Sequence, residues 1–222
     1  MTELTIKELF DTDNTMAKAF IDNFEYPWQA LSGIKKFVIE LGKTLSLDEY
    51  YSPEENVWIS KNATVAANAT IIGPAIICEG AEIRHCAFIR GSVLVGKGAV
   101  VGNSSELKNC ILFDKAQVPH FNYVGDSILG YKSHLGAGTI TSNLKSDGTN
   151  VSIQFNGEKI ETGLRKFGAA VGDFVEVGCS SVLNPGTVIG KHTNVYPLSS
   201  VRGYVGPESI FKEKSNIVQK SK

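Results

Sequence analysis

The sequence predicts an all-β protein wound as a parallel β-helix, and three features of its 222 residues carry that prediction. Stepping by six from Ile59 gives Ile59, Val65, Ile71, Ile77, Ile83, Ile89, Val95, Val101, Leu107 and Phe113, with no polar residue among them. Four places after each stands Ala63, Ala69, Ala75, Ala81, Ala87, Val93, Ala99, Ser105, Ile111 or Gln117, a second and mostly small track. Glycine is frequent, at 22 residues against 2 tryptophans, which suits a chain of many tight corners. Neither the helical period nor strand alternation produces a six-residue step. Three flat sides of six residues close a triangular turn of ~18, with the aliphatics stacked up its axis and each turn pairing with the next as parallel strands.

Composition narrows the function classes. Lys+Arg 22 against Asp+Glu 23 gives a net charge of -1, so no global field draws nucleic acid or an anionic membrane, and any anion site must be local. The opening residues Met1 to Glu8 show no export signal, and no run reaches the roughly 18 apolar residues of a bilayer span. Cys78, Cys86, Cys110 and Cys179 form no C-x-x-C pair and read as reduced thiols of a cytoplasmic protein.

In chain order, residues 1–56 do not repeat and read as a helical cap over the open end of the β-helix. Pro27-Trp28 opens an amphipathic pattern, Trp28, Leu31, Ile34, Phe37, Val38 and Leu41, closed by Gly42 as a stop, and a shorter helix is expected over about 14 to 22. The β-helix runs over 57–206. After Phe113 the inward series resumes at Tyr123, Leu129, Leu135 and Thr141, which places a frame break at residues 118 to 122. From Thr141 the beat returns at Val171, a whole number of hexads further on, so a loop leaves the coil and rejoins it in phase. Within it, Asn156-Gly157 between alternating segments predicts a hairpin arm at about 145–166, projecting from the prism. Residues 207–222, with Lys212, Lys214, Lys220 and Lys222, read as a solvated tail.

Arg90 and Lys108 are 18 apart and so stack one strand spacing, ~4.8 Å, from each other. Two cations that close suit a phosphate between them, and the structural alternative is that both splay into solvent or pair with Glu106 and Glu82. His120 falls at the frame break, at an edge, where an imidazole suits proton removal near neutral pH. In Leu135-Gly136-Ala137-Gly138-Thr139 the glycines either admit a ligand to the backbone N–H groups or serve tight corners. His85, His120 and His134 are a candidate zinc set, with His192 remote.

The segment Val101-Gly102-Asn103-Ser104-Ser105-Glu106-Leu107-Lys108, with His120-Phe121-Asn122-Tyr123-Val124-Gly125-Asp126 and Leu135-Gly136-Ala137-Gly138-Thr139-Ile140-Thr141-Ser142-Asn143, resembles the C-terminal half of bacterial UDP-N-acetylglucosamine pyrophosphorylase/glucosamine-1-phosphate acetyltransferase. Thr162-Gly163-Leu164-Arg165-Lys166-Phe167-Gly168-Ala169 is similar to archaeal-type sugar-1-phosphate nucleotidylyltransferases with an acetyltransferase tail. The resemblance covers residues 57 to about 203. It implies a left-handed β-helix, a homotrimer and acetyl-CoA as co-substrate lying between neighbouring prisms, with no metal required. By the same resemblance Arg90 and Lys108 bind the sugar phosphate, His120 is the general base, and Tyr123, Asn143 and His134 line the acceptor pocket. Ala137 offers its N–H to the thioester carbonyl, Cys179 lies beside it on the coenzyme, and the arm reaches a neighbour. His134 stands where the bacterial family has Asn, Leu144 where it has Tyr and Cys179 where it has Ser.

The sequence-based expectation is therefore a CoA-dependent acyltransferase acting on the amine of an amino-sugar phosphate or related precursor. No glycine-rich nucleotide-binding fingerprint accompanies it, so pyrophosphorylase activity is not expected. The competing readings are a γ-carbonic anhydrase-like zinc enzyme, suggested by Ile89-Arg90-Gly91 and the histidines, and a non-catalytic sugar-nucleotide-binding β-helix.

Overall fold

The computed structural model describes residues 1–213 and 216–219. Its body is a parallel β-helix with three faces. On the first face Val57 aligns with Ala75 and Ala75 with Val93, and on the second Glu82 aligns with Val100, so each of these turns spans three whole hexads. The two tracks of the sequence meet inside as one column from Val57 to Phe211. Each step buries an aliphatic side chain opposite a small one, which lets the three walls close on a packed axis.

The frame shifts, however, at different places from the one expected. The turns from Val93 to Cys110 and from Cys110 to Ser127 each fall one residue short of three hexads. The residue is lost at the corner leaving the third face, where Asn109 and Asp126 take positive φ values of 48° and 47°. Asn and Asp tolerate that left-handed geometry better than other side chains. The inward residues thus become Leu112, Val118 and Val124, not Phe113 and Tyr123. Phe113 turns outward, its ring 5.2 Å from that of Phe10. Residues 118 to 122 lie within a regular hexad, with Val118 and Asn122 pointing in.

The N-terminal segment lies along a flank. Its helices Lys18–Ile21, Pro27–Ala30 and Ile34–Gly42 bury Ile21, Trp28, Ile34 and Val38 against the outer side of the first face, on Ile76, Leu94, Ile111, Phe113 and Ile128. The expectation of an end cap is corrected accordingly. That face carries a second apolar surface outside the hexad core, and burying it outweighs covering one coil end. Tyr50–Tyr51 pairs antiparallel with Val57–Ser60 at the first coil's edge, and the Glu49 carbonyl accepts from the Lys61 N–H at 2.8 Å. Gly42 is not a stop beyond the helix but its buried last residue, where a Cβ would fall 2.2 Å from the Trp58 ring.

The arm is also corrected in its direction. Ser152–Phe155 and Glu158–Glu161 pair antiparallel around Asn156 and Gly157, as the sequence predicts, and a Leu144–Lys166 bridge closes its base. Instead of projecting, it folds back on the same flank, because Val151, Ile153 and Phe155 present one apolar side to the apolar surface there. The backbones touch closely: a Cβ on Gly203 would sit 2.6 Å from the Gln154 carbonyl oxygen. The coil also continues past 206. Ser209–Glu213 pairs with Asn194–Val195, and Phe211 is 3% exposed. Lys212 is exposed on that strand. Lys214, Lys220 and Lys222 lie outside the described residues.

Candidate functional site

At the corner between the second and third faces, from Ile83 onward, the residue two places after the inward aliphatic turns outward and the next takes positive φ. At the corner between the second and third faces the left-handed residues are Cys86, Ser104, Phe121, Gly138, Ser180 and Leu198. Residues immediately before them therefore stack in one column. Asn103 pairs with His120, Gln117 with His134 and His134 with Glu176, and these registers set His120 over Ala137 and Ala137 over Cys179. Successive members are one strand spacing apart, ~4.8 Å. Backbone bonds lock the column: Gly138 donates to the His120 carbonyl at 3.0 Å, Ser180 to that of Ala137 at 2.7 Å, and Leu198 to that of Cys179 at 2.9 Å.

Three of the expected residues thus share one ridge. His120 and Cys179 are exposed, Ala137 is half-buried, and the His120 imidazole makes no hydrogen bond or ion pair among the described residues. Ala137's own N–H likewise has no acceptor among them, which leaves one outward backbone donor beside the imidazole. At Gly136 a Cβ would lie 2.6 Å from the Cys179 amide nitrogen, so glycine lets the coils approach there. The corner is convex in a single chain, with Phe121 62% exposed next to His120.

The third face holds the second group. Arg90 donates its amide to the Leu107 carbonyl, which brings it level with Lys108 as the spacing predicted. The Arg90 guanidinium is ion-paired with Glu106, the structural alternative, whereas Lys108 makes no ion pair among the described residues. Lys108 aligns with Gly125 in the next coil, and a Cβ there would fall 2.5 Å from the Tyr123 hydroxyl. Burial pushes that hydroxyl's pKa up, with a smaller contribution from Asp126. Asn143 donates to the Tyr123 oxygen at 3.3 Å and to the Asp126 carboxylate, which also accepts from Asn109 at 2.8 Å. Asn109, Asp126 and Asn143 form a polar ladder where the frame shortens. Sequence reasoning missed it, although an Asn and an Asp at hexad corners mark such positions.

His134 stands apart within the same prism. It lies on the second face with Nδ1 2.8 Å from Glu176 Oε2. The zinc alternative needs His85, His120 and His134 to converge. His85 and His120 share the corner with Asn103 between them, His134 is on another face, and His192 stacks on Phe174 at 4.6 Å at the opposite corner. Among the described residues no three His, Cys, Asp or Glu side chains could hold one metal ion.

Comparison with known proteins follows the same lines. The chain is 36% identical over 203 residues to the bifunctional protein GlmU of Methanococcus maripaludis, covering 90% of this chain and 49% of that protein. It is also 36% identical over 121 residues to a bifunctional sugar-1-phosphate nucleotidylyltransferase/acetyltransferase of Sulfurisphaera tokodaii, covering 54% and 30%. The chain thus spans half or less of the relatives it matches. A solved structure of PerB from Caulobacter crescentus, in complex with CoA and GDP-perosamine, is similar at 17% identity and a TM-score of 0.32 over 74% of this chain and 57% of that one. Residues 71–205, the greater part of the coil, match the family described as the GMPPB C-terminal domain, and the chain belongs to that family.

Proposed function

We propose that the protein is a CoA-dependent acyltransferase, with acetyl-CoA as donor and the amine of an amino-sugar phosphate or a related sugar-nucleotide precursor as acceptor. The observation that carries this reading is the column in which an exposed imidazole stands one coil from an unpaired outward amide. His120 takes a proton from the acceptor ammonium, and the freed lone pair attacks the thioester carbonyl. The Ala137 N–H donates to the oxyanion that forms, the kind of contact worth about 3 kcal/mol in other enzymes. Collapse of the tetrahedral species breaks the C–S bond, the imidazolium returns its proton to the departing thiolate, and the nitrogen gives up its second proton to solvent, which leaves a neutral amide. Lys108, with Arg90 exchanging Glu106 for substrate, neutralises the sugar phosphate, and Tyr123 and Asn143 bound the acceptor pocket.

A convex ridge needs a second wall, and a second copy of the chain is the natural source. The chain's own helices and arm seal the first face, which leaves the other two for contact between prisms. The assembly proposed is a homotrimer with sites between protomers, where His134 of one copy, held by Glu176, faces the site of another. No described helix is long and apolar enough to cross a membrane. A cytoplasmic enzyme with four unpaired thiols is the placement proposed.

Thiol release from acetyl-CoA across a panel of amino-sugar phosphates tests the reading. His120→Ala is expected to lower kcat about 10²-fold or more while the melting temperature holds. Unchanged turnover in that variant overturns the mechanism.

A further inference from the structure

The inward slot behind the ridge holds Ser105, Asn122, Thr139, Ser181 and Ser199 in successive coils, all buried. Asn122 is the largest of them and the only amide, and its polar atoms are all engaged. Its Oδ1 accepts the His120 N–H at 3.0 Å and lies 3.5 Å from Ser105 Oγ. Its Nδ2 donates to the Gly136 carbonyl at 2.8 Å and to that of Thr139 at 3.2 Å, and its own N–H donates to Ser105 Oγ at 3.2 Å. One side chain at 3% exposure therefore ties the backbone of the His120 coil to the coil that carries Ala137.

The Gly136 carbonyl belongs to the same peptide group as the Ala137 N–H. A trans peptide is planar with its C=O and N–H opposed, so a donor that holds the oxygen from inside aims the hydrogen outward. A hydrogen bond to the carbonyl also polarises the amide and strengthens it as a donor. We propose that Asn122 is a positioning residue for the acyl transfer, fixing the imidazole's backbone and the oxyanion-facing amide in one register. The inference rests on the acyltransferase reading above.

A double-mutant cycle tests it. In Asn122→Ala, kcat is expected to fall about tenfold or more while the KM values for acetyl-CoA and acceptor stay within about twofold. In the His120→Ala background the same change should cost clearly less, because the part of its effect that runs through the imidazole is already gone and only the part that runs through the Ala137 amide remains. Should Asn122→Ala not fold, Asn122→Val serves in the same cycle, since valine fills the slot and brings no donor to the Gly136 oxygen; a Thr would not serve, because Thr139 in the same slot donates to the Gly178 carbonyl at 3.2 Å. Equal losses in both backgrounds, or a loss confined to melting temperature, overturn the positioning role. Wild-type kcat in the Asn122 variant beside a collapsed His120→Ala overturns this inference alone. Full turnover in His120→Ala overturns the acyl-transfer reading and the inference with it.

Discussion

His120 is exposed because of its place in an ordinary hexad and needs no irregular backbone to lift it out. The same position presents Cys179, and the contrast with the other thiols is large. Burial pushes Cys78 up to about 12 and raises Cys110 further, so neither supplies thiolate. Cys86 and Cys179 are exposed. Native protein treated with an alkylating reagent is expected to gain two adducts by mass spectrometry and unfolded protein four. Acetyl-CoA should protect Cys179 and leave Cys86 reactive; equal protection of both, or of neither, would separate Cys179 from the coenzyme.

The hairpin shows how an element's surroundings set its direction. Its turn residues, Asn156 at φ 50° and Gly157 at φ 84°, follow from local sterics, and the sequence names them. Where it points depends on the apolar side of Ser152–Phe155, which packs on the flank with the Phe155 ring 5.3 Å from that of Tyr204. Phe155→Ala is expected to cost about 3–5 kcal/mol in urea denaturation and to expose the arm to proteolysis. Unaltered stability would mean that the arm is held by its backbone alone.

Assembly depends on which surfaces the chain leaves open. Phe121, Tyr196 and Leu198 line the ridge corner, and Leu198 is 81% exposed. Light scattering on the purified protein is expected to give about three times the chain's mass, the symmetry that closes a three-sided contact. Dilution that dissociates the trimer should lower specific activity in step. A fully active monomer would show that one prism suffices and that the second wall is not required.

Repetition is a local property, so the six-residue beat, the three-sided prism and the stacking of Arg90 on Lys108 could all be read along the chain. So could His120 and Ala137, through the motif that contains them. The place of the frame shift could not, because Ile111, Leu112 and Phe113 are all apolar and either choice of inward residue satisfies the pattern. Asn109 and Asp126 resolve it by tightening two corners, and that choice turns Phe113 outward onto the helices. Asn122 shows the same division: its identity is written in the sequence, but its bond to the Gly136 carbonyl exists only once adjacent coils stack. Contacts between successive turns, such as Leu107 on Val124, depend on the register of the closed coil, and hydrophobic pattern alone leaves that register open by one residue.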